Sequence, residues 1–423
     1  MRRVAIALLF TIATSLHAGS SITATNAALA TASPYATQAG LAVLKNGGNA
    51  IDAAVAVAFV LSVVHPQAGN IGGGGFLVYY DAKTKGMWAL DFREVAPIAA
   101  KPNMFVLADG KVSAEIRTGP RAAGVPASVA GLAAAHERFA TRTWKDLLAP
   151  AIALARDGFM VDDALARALA TEKSARNIDQ FATTAAIFYP GGKPLTAGTK
   201  LVQSDLAATL ERIAAGGAAA FYRGDIAIRA VDSIKSAKGI ITDRDLRDYK
   251  PLWRSPLKID FGEYAVFTVP PPSAGGIVLA EALNILSGFD LARSGFATAR
   301  TVHLEAEAER RAAIDRNRYI GDPSTARIPY RQLLSSARAD QWRSSIKPDR
   351  ATPSLTLTEP PASIAESTHT THFSIADAQG TIVSLTTTLN DDFGSGFVVG
   401  GCGFFLNDAM DDFSSGLNAI EPG

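Results

Sequence analysis

Thr370-Thr371-His372-Phe373-Ser374, then Thr386-Thr387-Thr388-Leu389-Asn390, then Asn407-Asp408-Ala409-Met410-Asp411-Asp412-Phe413 form three polar clusters rich in hydroxyl and carboxylate groups, set among β-type runs. Phe373, Ile375, Ile382, Val383 and Leu385 fit two strands, and Ala378-Gln379-Gly380 supplies the turn between them. Threonine is a common strand residue, so this pattern admits a plain hairpin. It also admits a threonine-nucleophile site.

The order and spacing of the three clusters resemble the gamma-glutamyltranspeptidases, a family of N-terminal-nucleophile hydrolases. The resemblance implies that a precursor cuts itself before the first Thr of Thr-Thr-His, here between His369 and Thr370. An internal Thr hydroxyl is a poor nucleophile until a base takes its proton, whereas an N-terminal Thr carries its own base in the α-amino group. That amine has an ordinary pKa of about 7.7 to 8.0, so a useful fraction is neutral near pH 7. In the cut itself, the Thr370 hydroxyl would attack the His369 carbonyl, move the acyl group from nitrogen to oxygen, and leave an ester for water.

Working outward, Trp88-Ala89-Leu90-Asp91-Phe92 reads as a strand that delivers Arg93-Glu94-Val95-Ala96-Pro97 at its end. A surface ion pair between Arg93 and Glu94 is one reading. The resemblance implies another, in which Arg93 holds the α-carboxylate of a γ-glutamyl group through its planar, paired donors. It further implies that Thr388 hydrogen-bonds the nucleophile and that Asn390 and Asp412 grip the substrate α-amino group. The implied fold is α+β, a four-layer αββα sandwich, with a large subunit over residues 19–369 and a small one over 370–423. The implied partners are a small γ-glutamyl substrate such as glutathione and a water or amino-acid acceptor, and no metal or organic cofactor is implied.

Local patterns place helices at Ala36 to Lys45, closed by Asn46-Gly47-Gly48, and from Asn49-Ala50-Ile51-Asp52 to Val64. The glycine run Gly72-Gly73-Gly74-Gly75 precedes the strand Leu77-Val78-Tyr79-Tyr80 and lacks the Gly-Lys-Ser/Thr ending of a phosphate loop, so it reads as a tight backbone passage. The middle third is Ala-rich and helical. Strands return at Leu257 to Ile259 and Tyr264 to Val269, followed by a helix opening at Pro270 to Gly276. His303, Glu305, Glu307 and Glu309 lie two apart on a helix and do not share a face, which reads as a solvated surface. Residues 329–366 turn polar and Pro-containing and read as an exposed linker to the scissile bond.

With 423 residues, a net charge of +1 and 19% charged residues, the chain has a large core and nothing that favours nucleic acid or an anionic membrane. Met1-Arg2-Arg3, the apolar run Val4 to Phe10 and small residues ending near Ala18 have the layout of a secretory leader over residues 1–18, which points to the periplasm or the extracellular space. Cys402, the sole cysteine, excludes an internal disulfide and reads as a buried, inert thiol.

Three departures from the family pattern qualify the expected activity. Ala409 stands where the family usually has Gln or Glu, which removes a contact to the α-amino group and relaxes specificity. The stretch from Asp412 to Pro422 is short and resembles the lidless branch, which includes cephalosporin and glutaryl acylases. The chain ends at Gly423, before the serine pair and the oxyanion-hole glycines of the family, so it is expected to be C-terminally incomplete. The alternatives are therefore a cephalosporin or glutaryl acylase, and an uncleaved, non-catalytic secreted fragment.

Overall fold

The computed structural model describes residues 23–357 and 369–413. The strands in chain order are β1 (Ala28–Ala30), β2 (Gly74–Asp81), β3 (Gly86–Phe92), β4 (Phe159–Met160), β5 (Lys200–Leu201), β6 (Leu252–Arg254), β7 (Leu257–Phe261), β8 (Tyr264–Thr268), β9 (Thr370–Ala376) and β10 (Ile382–Thr388). Six of them form one antiparallel sheet in the order β1-β9-β10-β2-β3-β6, while β4-β5 and β7-β8 are two-stranded ribbons. The expected hairpin is present as β9-β10, closed by Gly380 at φ 80° and by the Asp377 N–H donating to Thr381 O at 3.0 Å. The α+β class is as expected. Among the described residues helices cover the apolar face of this sheet, and the helices Ala274–Leu286 and Ala299–Tyr319 build a second apolar cluster with Phe261 of the β7-β8 ribbon.

Alternation along the strands decides which face is covered. Phe373 and Ile375 of β9, Val383 and Leu385 of β10, Leu77 and Tyr79 of β2, and Leu90 and Phe92 of β3 are all buried in the main core. Thr370, His372 and Ser374 alternate with them and stay exposed. Against the apolar face pack α2 (Ala50–Val64) and α3 (Ser128–Phe139), with α1 (Pro34–Lys45) and α4 (Trp144–Asp157) behind α2. All 15 residues of α2 are buried, which accounts for its unbroken apolar sequence. Its start is fixed by a capping box between Asn49 and Asp52, and Asp52 also accepts from the Thr141 and Arg142 amides at 2.9 Å. α1 closes as its sequence indicates, with Gly47 at φ 79° and the Gly48 N–H returning to Val43 O at 2.9 Å.

The glycine run is a close passage between strands. A Cβ on Gly73 would lie 2.1 Å from Thr388 O, and one on Gly75 would lie 2.2 Å from Thr386 O. The absence of side chains there lets β2 lie flush against the strand end that carries Thr388.

Two expectations are corrected. The stretch expected to be an exposed linker folds in its first half into short helices, Tyr330–Leu333 and Ser336–Ser344, which bury Leu333, Ala339 and Ile346. Asp315 of the long helix Ala299–Tyr319 holds the second of them by accepting from Arg338 Nε at 2.7 Å and Trp342 Nε1 at 2.9 Å. Residues 347–350 are exposed, and 358–366 lie outside the described residues, as do the leader-like residues 1–18. Secondly, Glu307 is no solvated surface residue: it is buried beside the fully buried Arg311, whose Nη1 donates to it at 2.5 Å. Burial raises the Glu307 pKa, but hydrogen bonds from Thr352 and Arg311 outweigh that cost and hold the carboxyl down at about 2.

Candidate active site

Register places the two threonines. β9 and β10 pair so that Thr370 stands directly opposite Thr388, and the Thr370 hydroxyl donates to Thr388 Oγ1 at 3.2 Å. Thr388 Oγ1 also accepts from the Asn390 N–H at 2.9 Å. The strand register and this hydrogen bond together fix the direction of the Thr370 hydroxyl. His369 precedes the strand, and its Nδ1 lies 3.1 Å from Asp392 Oδ1.

The same end of the sheet carries the other expected residues. Thr388 pairs with Gly74, Gly75 pairs with Phe92, and Arg93 leaves β3 immediately after Phe92. Three strand spacings thus separate Thr370 from Arg93, roughly 14 Å of backbone that a long guanidinium side chain can partly span. Arg93 Nη2 donates to the Asp412 carboxylate, while its Nε stands 3.7 Å from Glu94 Oε2. The expected Arg93–Glu94 pair exists, but Asp412 is the closer partner. Asp91 and Tyr249 fix the Arg93 backbone, by accepting from its N–H at 3.0 Å and donating to its C=O at 2.9 Å.

Asn390 is held where a side chain rarely sits. Its φ is 83° and that of Phe393 is 60°, left-handed values that cost a residue other than glycine about 1–3 kcal/mol each. The surroundings impose them. The Asn390 side chain donates to Asp408 O at 3.3 Å, and Phe393 is fully buried against Phe188 and Phe405. The Asp391 N–H donates to Asp408 Oδ1 at 3.0 Å, and Arg176, on the helix α5 (Asp163–Arg176), donates to Gly394 O at 2.7 Å and to Asp392 O.

The roles of several residues escaped the sequence reading, even where it quoted the residues themselves. Asn407 saturates its amide, accepting from the Gly124 and Ala409 N–H groups and donating to Gly72 O and Gly124 O, and so ties the 3₁₀ turn Ala409–Asp412 to the glycine passage. Asp408 is fully buried; burial and then the nearby Asp391 carboxylate push its pKa well up. The Glu94 carboxylate is buried, with no side-chain hydrogen bond to it among the described residues, and burial, only partly offset by Arg93, raises it to about 7. Arg117 grips Asp391 and approaches Asp411. The sequence reading gave no sign of this network, since Arg117 and Arg176 come from segments with no local motif.

Beside Thr370 opens a cavity of about 380 Å³ lined in part by Thr31, His65 and His372. His372 bonds Thr386 Oγ1 at 2.8 Å and Ser374 Oγ at 3.1 Å on the uncovered sheet face. Ala409 is buried, so the position that carries an amide or acid in the family pattern presents no polar side chain. Cys402 is fully buried and its thiol is pushed up to about 11 by burial, which makes it inert as expected. Among the described residues no group of three His, Cys, Asp or Glu side chains stands ready for a metal, and no helix is long and apolar enough to cross a membrane.

The Gamma-glutamyltranspeptidase family profile matches residues 36–423. A glutathione hydrolase proenzyme of Pseudomonas sp. (strain A14) is 43% identical over 403 residues, covering 95% of this chain; the chain spans 70% of that relative's length. Among solved structures, the Helicobacter pylori gamma-glutamyltranspeptidase superposes with a TM-score of 0.76 at 37% identity, covering 82% of this chain and 99% of that one. A cephalosporin acylase from Bacillus halodurans gives 0.85 at 31% identity, covering 98% of this chain and 76% of that one.

Proposed function

Because the chain belongs to the gamma-glutamyltranspeptidase family, we propose that it is a γ-glutamyl hydrolase and transferase acting on glutathione and related γ-glutamyl amides. The observation that carries this reading is the Thr370 hydroxyl bonded to Thr388 at the sheet end shared with Arg93, Asn390 and Asp412. Maturation begins when Thr370 Oγ attacks the His369 carbonyl; the peptide nitrogen leaves, an ester forms on Thr370, and water hydrolyses it. The freed α-amine is then the base for turnover. Thr370 Oγ attacks the γ-carbonyl of the donor, the amine leaves with a proton, and the γ-glutamyl ester passes to water or to an amino-acid acceptor.

In this reading Arg93 releases Asp412 and takes the donor α-carboxylate, while Asp412 and Asn390 take its ammonium, so the zwitterion replaces the Arg93–Asp412 pair by inserting between its partners. Thr388 orients the Thr370 oxygen in both reactions. The large subunit ends at His369 and the small one begins at Thr370. The leader-like sequence of residues 1–18 supports export to the periplasm or beyond.

A glutaryl or cephalosporin acylase is the second reading, favoured by the buried methyl of Ala409, which leaves the ammonium one contact short, and by the likeness to the Bacillus halodurans acylase. Denaturing electrophoresis with N-terminal sequencing of the purified chain tests the mechanism: two fragments, one starting at Thr370, are expected. A single intact band after prolonged incubation refutes autoprocessing. Turnover of γ-glutamyl against glutaryl p-nitroanilide separates the two readings.

A further inference from the structure

We propose that Arg117 is a specificity-positioning residue, a brace that sets the spacing between the two side chains assigned to the donor α-amino group. The inference rests on the γ-glutamyl reading above. Asn390 and Asp412 sit on different segments, one just after β10 and the other at the end of the 3₁₀ turn Ala409–Asp412. Arg117 touches the chain neighbour of each. Its Nη2 lies 2.5 Å and its Nε 2.8 Å from Asp391 Oδ2, and the same Nε lies 3.4 Å from Asp411 Oδ2. One planar guanidinium therefore bridges the residue after Asn390 to the residue before Asp412.

The brace is itself anchored. The Arg117 carbonyl accepts from Arg176 Nη1 at 3.0 Å, and the same nitrogen donates to Gly394 O at 2.7 Å, tying the Arg117 segment to the strained loop that holds Asn390. Two residues on, the Gly119 N–H donates to Ser395 O at 2.8 Å. The guanidinium is 46% exposed on its side chain, so its loss opens a bridge at the surface and leaves the core in place. Asp391, by contrast, is almost fully buried.

The position of the brace suits the gap left at residue 409. With a buried methyl there, the ammonium depends on Asn390 and Asp412 alone, and their separation becomes the whole of the discrimination against a donor lacking the amine. A bridge one residue away on either side fixes that separation without touching the substrate.

The test compares ligands that differ only in the amine. L-Glutamate and glutarate are titrated calorimetrically into the purified full chain and into the variants Arg117→Gln, Arg117→Lys, Asp411→Asn and, as a control in the same segment, Arg121→Gln, whose guanidinium pairs with Glu115 at 2.7 Å. The expected result is that Arg117→Gln weakens glutamate about 10- to 100-fold while glutarate stays within about twofold. Arg117→Lys and Asp411→Asn should each retain part of the preference, because each keeps one arm of the bridge, and Arg121→Gln should retain all of it.

The anilides add a kinetic check: KM for the γ-glutamyl substrate rises in Arg117→Gln with kcat little changed. Equal weakening of both ligands, or of neither, overturns the proposal, as does an unaltered chain that fails to prefer glutamate. These failures are distinct from failure of the catalytic reading, which shows as an intact His369–Thr370 bond and no turnover of either anilide.

Discussion

A hydroxyl bonded to a second hydroxyl across a strand pair is a modest interaction in a plain hairpin, but at Thr370 it fixes, with the strand register, the direction of the hydroxyl. Thr370→Ala is expected to leave the chain as one band and to abolish amide hydrolysis. Thr370→Ser keeps a nucleophile but loses the β-branch that restrains χ1, so fragments should appear more slowly on a gel time course. Thr388→Ala removes the acceptor of two hydrogen bonds, those from Thr370 and from the Asn390 amide. Loss of about 1–3 kcal/mol of orientation corresponds to cleavage slowed roughly 5- to 150-fold, read by the same time course. At this scale the local sequence was informative. Thr370, Thr388, Arg93, Asn390 and Asp412 lie in the segments that carry the family resemblance, and Asp408 stands among them without an expected role, while Arg117 and Arg176 belong to no motif because their partners lie far away in the chain.

Among the elements, β2 governs the site through what it lacks. Gly73, immediately before the strand, and Gly75 within it allow the backbone to lie against Thr388 and Thr386 more closely than any Cβ permits. Gly73→Ala would place a methyl 2.1 Å from Thr388 O, so β2 and β10 must part and Thr388 must shift from Thr370. Overpacking of this kind costs about 1–3 kcal/mol. The expected outcome is a lower thermal midpoint together with loss of the Thr370 fragment; a stabilised variant that still cleaves at Thr370 would refute the account. Element boundaries followed local chemistry where caps and periodicity were strong, as in α1 and α2. They failed at residues 329–346, whose few apolar side chains give weak periodicity, because what holds the second helix there is Asp315 on another helix accepting from Arg338 and Trp342.

Over the whole molecule, buried carboxyls such as Glu94 and Glu281 tie stability to pH. Glu94 is raised to about 7, mainly by burial with Arg93 opposing, and Glu281 to about 9, by burial and then by the charge of Asp315. Each ionises near its ordinary value of 4.5 in the unfolded chain, so from there up to its folded value the native state binds more protons and stability falls as pH rises. For Glu94 the loss is on the order of 3 kcal/mol, complete above about pH 7. Thermal unfolding across pH 5–9 should show this decline; Glu94→Gln is expected to flatten its lower part and Glu281→Gln to flatten the part that continues toward pH 9. Profiles parallel to the unaltered chain would show that neither carboxyl titrates in the fold.

The α+β class and the Thr370–Thr388 bond were expected from the family resemblance, while local sequence was enough for the β9-β10 hairpin, the first two helices, the glycine passage and the inert thiol. Each of the latter is written in neighbouring residues, through strand alternation, helix caps, steric freedom and burial of a short apolar stretch. Only the tertiary structure decided that Arg93 pairs with Asp412, that Asn390 is held left-handed, that Arg117 joins the flanks of Asn390 and Asp412, and that Glu307 and Arg311 are buried together. The Arg93 and Arg117 pairings depend on charges meeting across long chain separations, whereas Glu307 and Arg311 lie four residues apart on one helix, and it is their burial, like the packing that holds Asn390, that no local stretch encodes.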